Sequence, residues 1–387
     1  MLGLLAGKEV VMFGKSFTLF KLFGFKVRMD VSWLIIAVLI TWTLATGLFP
    51  RYYKNLPIPV YWWMGAAGAL GLFISIVFHE FSHSMVARHY GLSMEGITLF
   101  IFGGVAEMSE EPKNAKTEFL MAIAGPLSSI ALGIIFYGVA LAGAGAGLPK
   151  PVQGIFGYLA YLNLILAVFN LLPAFPLDGG RVLRSVLWKW KGNLRRATRT
   201  AANIGSLFGT LLIILGVANV LFGNMVGGIW WFLIGMFLRS AAQSSYRQVL
   251  IQKALEGTPV SNIMIKNPVT VPSSLTIGEL VENYIYKYHF KMFPILEDGK
   301  LVGCITTRQV KEVPREEWDF RKVGDIASHC SPENSIGPEY DAVKAMGLMS
   351  HTGNSRLMVV ENGQLIGVIS SKDLLNYISL KMDLEGG

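Results

Sequence analysis

The sequence contains little cysteine and little charge. Its 387 residues include two cysteines, and Asp, Glu, Lys and Arg make up 16% of the chain against 52% for hydrophobic residues. Cys304 and Cys330 both lie in the C-terminal third, which excludes a disulfide framework and indicates a reducing compartment. So little charge, beside a mean hydropathy of +0.47, excludes a single soluble fold and indicates a membrane protein.

The long apolar runs are confined to one part of the chain. They lie between residues 33 and 251, whereas the sequence from Glu256 onwards has the composition of an ordinary soluble domain. A chain of this length is expected to hold two or three domains. We therefore predict a membrane domain over 1–239, a linker over 240–257 and a soluble domain over 258–380.

Six apolar segments are candidates for membrane-spanning helices. They cover approximately residues 31–49, 61–89, 118–141, 152–175, 201–222 and 225–238, and the last of them is short. The predicted fold class is thus a multi-pass α-helical membrane domain of about six spans, followed by an α/β soluble part.

Positive charge is distributed unevenly between these spans. If the N-terminus is cytoplasmic, the inner segments include the basic stretch 181–199, while the outer segments hold only Arg51, Lys54 and Lys150. The positive-inside rule then places both termini and the soluble part in the cytoplasm. The net charge of +8 is mostly a topological signal. The chain carries no phosphate loop or nucleic-acid module, so no nucleic-acid partner is expected.

A metal-binding pattern lies in the second predicted span. His79, Glu80 and His83 form H-E-x-x-H, and residues i and i+4 of a helix share a face, so both imidazoles can bind one metal ion. Zinc binds neutral histidine, and a catalytic zinc keeps its fourth position for water. Glu80 is placed to take a proton from that water and pass it to a leaving amine. Ionisable residues inside an apolar span indicate function by default.

A third metal ligand is available after the fourth predicted span. Asp178 is the only acidic residue within 119–255, and Pro173 and Pro176 break the helix just before it. The second and fourth spans run in the same direction, so their C-terminal ends lie at the same depth. Asp178 would then complete a His-His-Asp site. The alternative is that Asp178 only caps a helix that starts at Gly179.

These residues carry a family resemblance. H-E-x-x-H in an early span, together with N-x-x-P-x-x-x-x-D-G over 170–179, resembles the site-2 protease family of intramembrane zinc metalloproteases, over about 17–239. The resemblance implies one zinc per chain, with three ligands, His79, His83 and Asp178. It also implies Glu80 as the catalytic acid/base and Asn170 as a catalytic contact to the substrate or the transition state. The implied substrates are transmembrane segments of membrane proteins.

Two glycine-containing stretches lie near this pattern. Residues 93–109 place apolar β-formers on both sides of Gly103 and Gly104, which predicts a hairpin at the membrane. Its edge would pair with an unwound substrate as an added strand; the alternative is an interfacial loop that only seals the site. Gly125 and Pro126 in the third span also resemble the family, with a structural role implied.

The soluble part contains an internal repeat. Residues 293–310 align without a gap on 357–374, and each copy reads strand, turn, strand and helix start. The repeat resembles a tandem pair of CBS domains, over 258–312 and 322–380. A homodimer formed through these domains is an expected assembly.

The CBS resemblance implies an adenine nucleotide, ATP, ADP or AMP, between the repeats. In such pairs a Thr or Ser contacts phosphate and an Asp three residues later binds the ribose. The second copy has Ser370 and Asp373, whereas the first has Thr306 but carries Gln309 in place of the Asp, which weakens the prediction for that copy. A purely structural role for both copies is the alternative.

The combined patterns predict an intramembrane zinc endopeptidase of the cell membrane that performs regulated intramembrane proteolysis. Its partners would be a membrane-protein substrate and the lipid bilayer, with cleavage regulated by nucleotide binding to cytoplasmic CBS domains. The alternative is a CBS-regulated transporter or channel with H-E-x-x-H as a polar patch or ion site, but such a protein has no need for Asp178 beside the histidines. A catalytically inactive relative is a weaker alternative, because both motifs are intact.

Overall fold

The computed structural model describes residues 16–92, 94–101, 103–108 and 112–385. Packing divides the chain between Val249 and Leu250 into two compact units. The predicted domain limits, 1–239, 240–257 and 258–380, stay predictions.

The first unit is dominated by long helices. In the described part of the chain they are α1 (Val31–Thr43), α2 (Phe49–Tyr52), α3 (Ile58–His89), α4 (Ala115–Gly145), α5 (Lys150–Asn170), α6 (Asp178–Lys191), α7 (Leu194–Leu221) and α8 (Met225–Leu255). A π-helical turn joins α1 to α2. Within the described residues, six helical segments are long and apolar enough to cross a membrane, namely α1 with α2, α3, α4, α5, α7 and α8. The predicted membrane fold of about six spans is thereby confirmed.

Side-chain caps fix where two of these helices begin. Asp30 precedes α1, and its Oδ1 accepts a hydrogen bond of 2.8 Å from the backbone N–H of Ser32. Asn114 precedes α4 and accepts in the same way from the N–H of Thr117 at 2.8 Å. Each cap satisfies a backbone donor that the first turn of a helix leaves without an internal partner.

The fourth predicted span, 152–175, ends earlier than expected. Helix α5 stops at Asn170, because Pro173 lacks a backbone N–H and both Pro173 and Pro176 disfavour helix in the residues before them. The chain then crosses seven non-helical residues, 171–177, before α6 begins at Asp178. This break determines where Asp178 lies.

The sixth predicted span, 225–238, is longer than expected. Helix α8 continues to Leu255 and so crosses most of the range predicted as a linker, 240–257. The sequence offers no helix breaker after Leu238 until Gly257, which has φ +71°. The apolar composition of the segment ends near residue 238, but residues that favour a helix continue beyond it to Leu255.

A four-stranded sheet accompanies the helices of the first unit. Its strands are β1 (Ser16–Leu22), β2 (Phe25–Asp30), β3 (Met94–Phe100) and β4 (Gly103–Met108), in the order β1-β2-β3-β4. β2 and β3 are parallel, and β3 and β4 form an antiparallel hairpin. The hairpin predicted in 93–109 is thereby confirmed for its described residues, while Ser93, Phe102 and Ser109 lie outside them. β4 is the outer strand, so one of its edges faces away from the sheet.

The second unit is a mixed α/β structure. Its strands are β5 (Ile265–Lys266), β6 (Val271–Pro272), β7 (Met292–Glu297), β8 (Lys300–Thr306), β9 (Ser328–His329), β10 (Ser335–Ile336), β11 (Arg356–Glu361) and β12 (Gln364–Ser370). Its helices are α9 (Ile277–Leu280), α10 (Tyr286–Tyr288), α11 (Thr307–Glu312), α12 (Val323–Ile326), α13 (Ala342–Thr352) and α14 (Ser371–Glu385). The strands form two four-stranded sheets, β10-β11-β12-β5 and β6-β7-β8-β9.

The two repeats exchange strands. β5 belongs to the first repeat but pairs with β12 of the second, and β9 belongs to the second repeat but pairs with β8 of the first. Each repeat therefore completes the sheet of the other. The predicted turns in each hairpin are present, since Asp298 and Asn362 have φ values of 51° and 50° and are each followed by glycine.

Candidate metal centre

Three metal-binding side chains converge inside the first unit. His79 and His83 lie one turn apart on α3, and Asp178 is the first residue of α6. Oδ2 of Asp178 lies 3.0 Å from Nε2 of His79 and 3.1 Å from Nε2 of His83, and the two Nε2 atoms are 3.3 Å apart. Both histidines are buried. Two sequence motifs almost 100 residues apart thus present three donor atoms to one point.

The outer nitrogens of both imidazoles are held by helix α4. Nδ1 of His83 donates to the backbone oxygen of Met121 at 2.6 Å, and Nδ1 of His79 lies 2.8 Å from Oγ of Ser129. A carbonyl oxygen can only accept, so Nδ1 of His83 carries the proton and Nε2 of the neutral ring presents its lone pair to the cluster. Bonds of this kind orient histidine ligands in metal sites.

The donor set fits zinc. Two neutral imidazoles and one carboxylate are a common catalytic zinc set, and ligand bonds of about 2.0–2.1 Å in a tetrahedral site place the ligand atoms about 3.3 Å apart. The three separations in the cluster are 3.0, 3.1 and 3.3 Å. One cation bound between the two nitrogens and the carboxylate oxygen would satisfy all three polar atoms at once in this largely buried site. The residues therefore match the zinc that the sequence predicts.

Gly125 of α4 lies directly against the ligand atoms. A Cβ atom at this position would lie 2.1 Å from Nε2 of His83 and 2.6 Å from Nε2 of His79. Real Cβ atoms do not approach other atoms so closely, so any side chain here would displace both imidazoles. The glycine is required by the close approach of α4 to the metal site, which gives the predicted structural role of the Gly125-Pro126 pair a physical reason.

Replacing Gly125 by Ala is expected to weaken zinc binding by at least about tenfold, because ligand orientation is worth about 10–100-fold in metal affinity. Competition with a chromogenic chelator measures this change. Gly138→Ala is the matched control, since Gly138 lies on the same helix and a Cβ there meets nothing within 4 Å. Equal zinc affinity in the two variants would contradict the packing role of Gly125.

Asp178 does not act as a helix cap. The N-cap residue of α6 is Leu177, and no side chain caps this helix. The carboxylate of Asp178 instead contacts Nε2 of both histidines. The alternative interpretation of Asp178, as a cap for a helix that starts at Gly179, is therefore wrong.

Glu80 adjoins the first histidine of the cluster along α3 and packs against the sheet. It follows His79 on α3 and is partly buried. A Cβ atom on Gly104 of β4 would lie 2.6 Å from Cγ of Glu80 and 3.1 Å from its Oε1. The backbone of the outer strand β4 thus packs against the Glu80 side chain.

Asn170 is not brought to the cluster. It is the last residue of α5, and its Nδ2 donates to the backbone oxygen of Leu166 at 3.0 Å, one turn earlier in the same helix. Among the hydrogen bonds of the described residues, none joins Asn170 to the histidines or to Asp178. Its predicted catalytic contact stays a prediction.

The predicted nucleotide contacts lie at helix starts in the second unit. Oγ1 of Thr306 accepts from the N–H of Gln309, and the Gln309 carbonyl oxygen accepts from the N–H of Thr306, which is a capping box for α11. Ser370 and Asp373 make the same reciprocal bonds at the start of α14. The residues thus have a structural role in the protein alone, and their nucleotide contacts stay predictions.

Ser129 and Met121 are not predicted from the sequence as parts of the site, and Gly104 is predicted as part of a hairpin but not as a contact of Glu80. Ser129 is a common residue type without a distinguishing pattern, and Met121 contributes only its backbone oxygen. The one available signal is position: Ser129 follows Gly125 by four residues, so both lie on the same face of α4.

Apolar helices that enclose a His-His-Asp cluster, with a glutamate beside the first ligand, define an integral-membrane metalloprotease. The profile of peptidase family M50 matches residues 67–154 and 148–216, and the CBS domain profile matches 260–316 and 323–380. The chain belongs to peptidase family M50, the family of the site-2 proteases, and carries a tandem pair of CBS domains.

Named relatives cover almost the whole chain. "Putative zinc metalloprotease Rip3" of Mycobacterium tuberculosis is 35% identical, over 92% of this chain and 91% of the relative. "Putative zinc metalloprotease sll0528" of Synechocystis is 32% identical, over 92% and 94%. The solved structure of the site-2 protease from Methanocaldococcus jannaschii is 31% identical and covers 60% of this chain and 96% of that one, with a TM-score of 0.42. The predicted metalloprotease is confirmed, and the transporter or channel is set aside.

Proposed function

We propose that this protein is an intramembrane zinc endopeptidase that cleaves transmembrane segments of membrane proteins. The observation that carries the proposal is the convergence of two buried histidines, His79 and His83, and the partly buried Asp178 within a bundle of apolar helices. Glu80, the residue after His79 on α3, supplies the proton-transfer group that peptide hydrolysis needs. A substrate peptide bond must reach these residues at the depth of the bilayer.

In the proposed mechanism His79, His83 and Asp178 hold the zinc. When bound, the metal polarises the scissile carbonyl and makes water acidic enough to attack at neutral pH. The carboxylate of Glu80 takes the proton from the attacking water and delivers it to the leaving amine nitrogen as the C–N bond breaks. Met121 and Ser129 keep the two imidazoles oriented, so that their Nε2 atoms stay directed at the cluster.

The outer strand β4 is the proposed binding surface for the substrate. A transmembrane helix hides its peptide bonds in its own hydrogen bonds, so it must be unwound before it can be cleaved. An unwound segment can pair with the edge of β4 as an added strand, and the contact between Gly104 and Glu80 would bring it to the catalytic carboxylate. This geometry supports strand addition over a loop that only seals the site.

The cytoplasmic location of both termini and of the CBS domains is part of the proposal. Its support is the charge asymmetry, with basic residues concentrated in the segment that contains α6 and the start of α7. Reporter fusions after Gly147 and after the last residue test it. The expected result is an external reporter at the first position and a cytoplasmic one at the second. Two reporters on the same side would contradict the topology.

We also propose that the CBS pair binds an adenine nucleotide and so regulates cleavage. Asp373→Asn is expected to weaken binding of ATP, ADP or AMP by at least about tenfold, because a bond from a ligand hydroxyl to a charged acceptor is worth about 1.5–3 kcal/mol. Asn keeps the helix start, since its carbonyl can still accept from the N–H of Ser370. Isothermal titration of the purified protein measures the change.

The control for this titration is Asp298→Asn, the same chemical change in an exposed turn with φ 51°, which Asn also adopts. It should leave nucleotide affinity unchanged. If no adenine nucleotide binds the parent protein at millimolar concentration, or if Asp373→Asn binds as the parent does, the proposed nucleotide site is wrong. Mass photometry of the same preparation tests the proposed homodimer.

A further inference from the structure

A buried ion pair joins two helices of the metal centre. Glu118 lies in the first turn of α4 and Arg184 in the middle of α6, with exposed fractions of 0% and 2%. Both Nε and Nη2 of Arg184 contact Oε1 of Glu118. A charge pair this deeply buried is costly to desolvate, and removing one partner leaves the other charge uncompensated. Such a pair holds its two helices in one relative position.

Arg184 also contacts the segment that leads to Asp178. Its guanidinium lies over the ring of Phe175, 5.1 Å from the centroid. Phe175 is buried and belongs to the non-helical stretch between α5 and α6, three residues before Asp178. A cation over an aromatic face is attractive, the more so when both groups are desolvated. One side chain thus binds α4, its own helix α6 and the segment before the third ligand.

The two helices joined by this pair supply different parts of the site. α4 holds the outer nitrogens of the imidazoles through Met121 and Ser129, and its Gly125 packs against their Nε2 atoms. α6 supplies Asp178. The 32 residues 146–177, which include helix α5, separate these two helices along the chain, so no local chain geometry fixes the distance between the carboxylate and the imidazoles.

We infer that Glu118 and Arg184 are positioning residues, which set the place of Asp178 relative to His79 and His83 and thereby the affinity for zinc. The inference rests on the proposed zinc site. Neither residue needs to touch the metal or the substrate. The pair acts by fixing α6 against α4, and the contact with Phe175 extends its effect to the first residue of α6.

The first test measures zinc affinity and thermal unfolding of the full-length protein in detergent. Glu118→Gln and Arg184→Met should each weaken zinc binding at least about tenfold in competition with a chelator, as loss of an outer-shell partner does. Arg184→Lys keeps the positive charge but cannot contact Glu118 through two nitrogen atoms. Its zinc affinity should lie between that of these two variants and that of the parent protein. Zinc affinity equal to the parent's in the folded fraction of both variants would overturn the inference.

A matched control separates positioning from stability. Met64→Ala removes a fully buried side chain of α3 that packs in a different cluster, about 22 Å along the helix from His79 at 1.5 Å per residue. It should lower the unfolding temperature without changing zinc affinity. If Met64→Ala weakens zinc binding as much as Arg184→Met does at an equal loss of unfolding temperature, the pair only stabilises the fold and the inference is wrong.

The decisive variant replaces both charges at once. Glu118→Leu with Arg184→Met removes the buried charges together, and apolar replacement of a buried pair often restores stability. We expect the unfolding temperature to recover while zinc affinity stays at least tenfold weaker. Recovery of both would overturn the inference. Absence of zinc from the parent protein would instead overturn the proposed function, so the two failures are distinguishable.

Discussion

Glu80→Gln is expected to lower the rate of cleavage by about 10²–10⁴-fold, the usual contribution of a general acid–base group. Gln has almost the same shape as Glu but cannot take a proton from the attacking water. It should also preserve the packing against Gly104, because Cγ of residue 80 is unchanged. Zinc content should stay at the parent value, since none of the three donor atoms of the cluster belongs to Glu80.

The measurement is the initial rate at which purified protein in proteoliposomes cleaves a single-span membrane protein that the parent protein accepts. Ser82→Ala serves as the control, since Ser82 is also on α3, beside His83, and its hydroxyl donates to the backbone oxygen of Phe78 in the same helix. That variant should cleave at the parent rate. Parent-like cleavage by Glu80→Gln would exclude the proposed role of this residue.

Asp178→Ala is expected to reduce zinc from about one per chain to a small fraction, as is His79→Ala. Each substitution removes one of three donors, and a catalytic zinc site has no further protein ligand to replace it. The loss should exceed that in any of the variants proposed above, because these residues are the proposed metal ligands. Elemental analysis of protein purified in detergent gives the zinc content per chain.

Asp30→Ala is the control for Asp178→Ala. Asp30 is the other aspartate among the first unit's described residues; it is buried, and it does cap a helix. Its replacement should cost about 1 kcal/mol of stability and leave zinc content unchanged. Full zinc content in Asp178→Ala, beside loss in His79→Ala, would mean that the carboxylate is not a ligand.

Much of the metal site could be predicted because its chemistry is local. His79 and His83 share a helix face by their spacing alone, and Asp178 stands out as the one acidic residue in a long apolar region. The prolines before Asp178 predict a break in the helix, although the helix ends at Asn170, earlier than the apolar pattern predicts. The apolar composition indicates which residues can lie in the membrane, whereas the prolines indicate where the helix must end.

The supporting contacts could not be predicted because they depend on how distant helices pack. The hydrogen bond from His83 to Met121 joins residues that are 38 positions apart, and its acceptor is a backbone oxygen. Any residue type could supply this oxygen, so the sequence does not indicate the bond. The importance of Gly125 follows from the absence of room for a Cβ atom beside the imidazoles, and this depends on how α4 packs against α3. Glu118 and Arg184 each have an ordinary explanation in the sequence, as a helix-start acid and a cytoplasmic base.

The CBS repeat shows a different limit of sequence patterns. Thr or Ser followed three residues later by Asp or Gln is the pattern expected of nucleotide contacts in this family, and it is also a capping box. Both copies form the capping box. Helix capping accounts for Gln309 in the first copy, where a ribose contact would call for Asp.

The exchange of strands between the repeats has a consequence for synthesis of the chain. β5 leaves the ribosome about 100 residues before β12, the strand with which it pairs, so at about 5–20 residues per second its partner is missing for about 5–20 seconds. During that interval the spans of the first unit have already been translated. The nascent protease would therefore enter the membrane before its CBS pair can fold, and an arrest of translation in the last repeat would leave a membrane domain without a folded CBS pair.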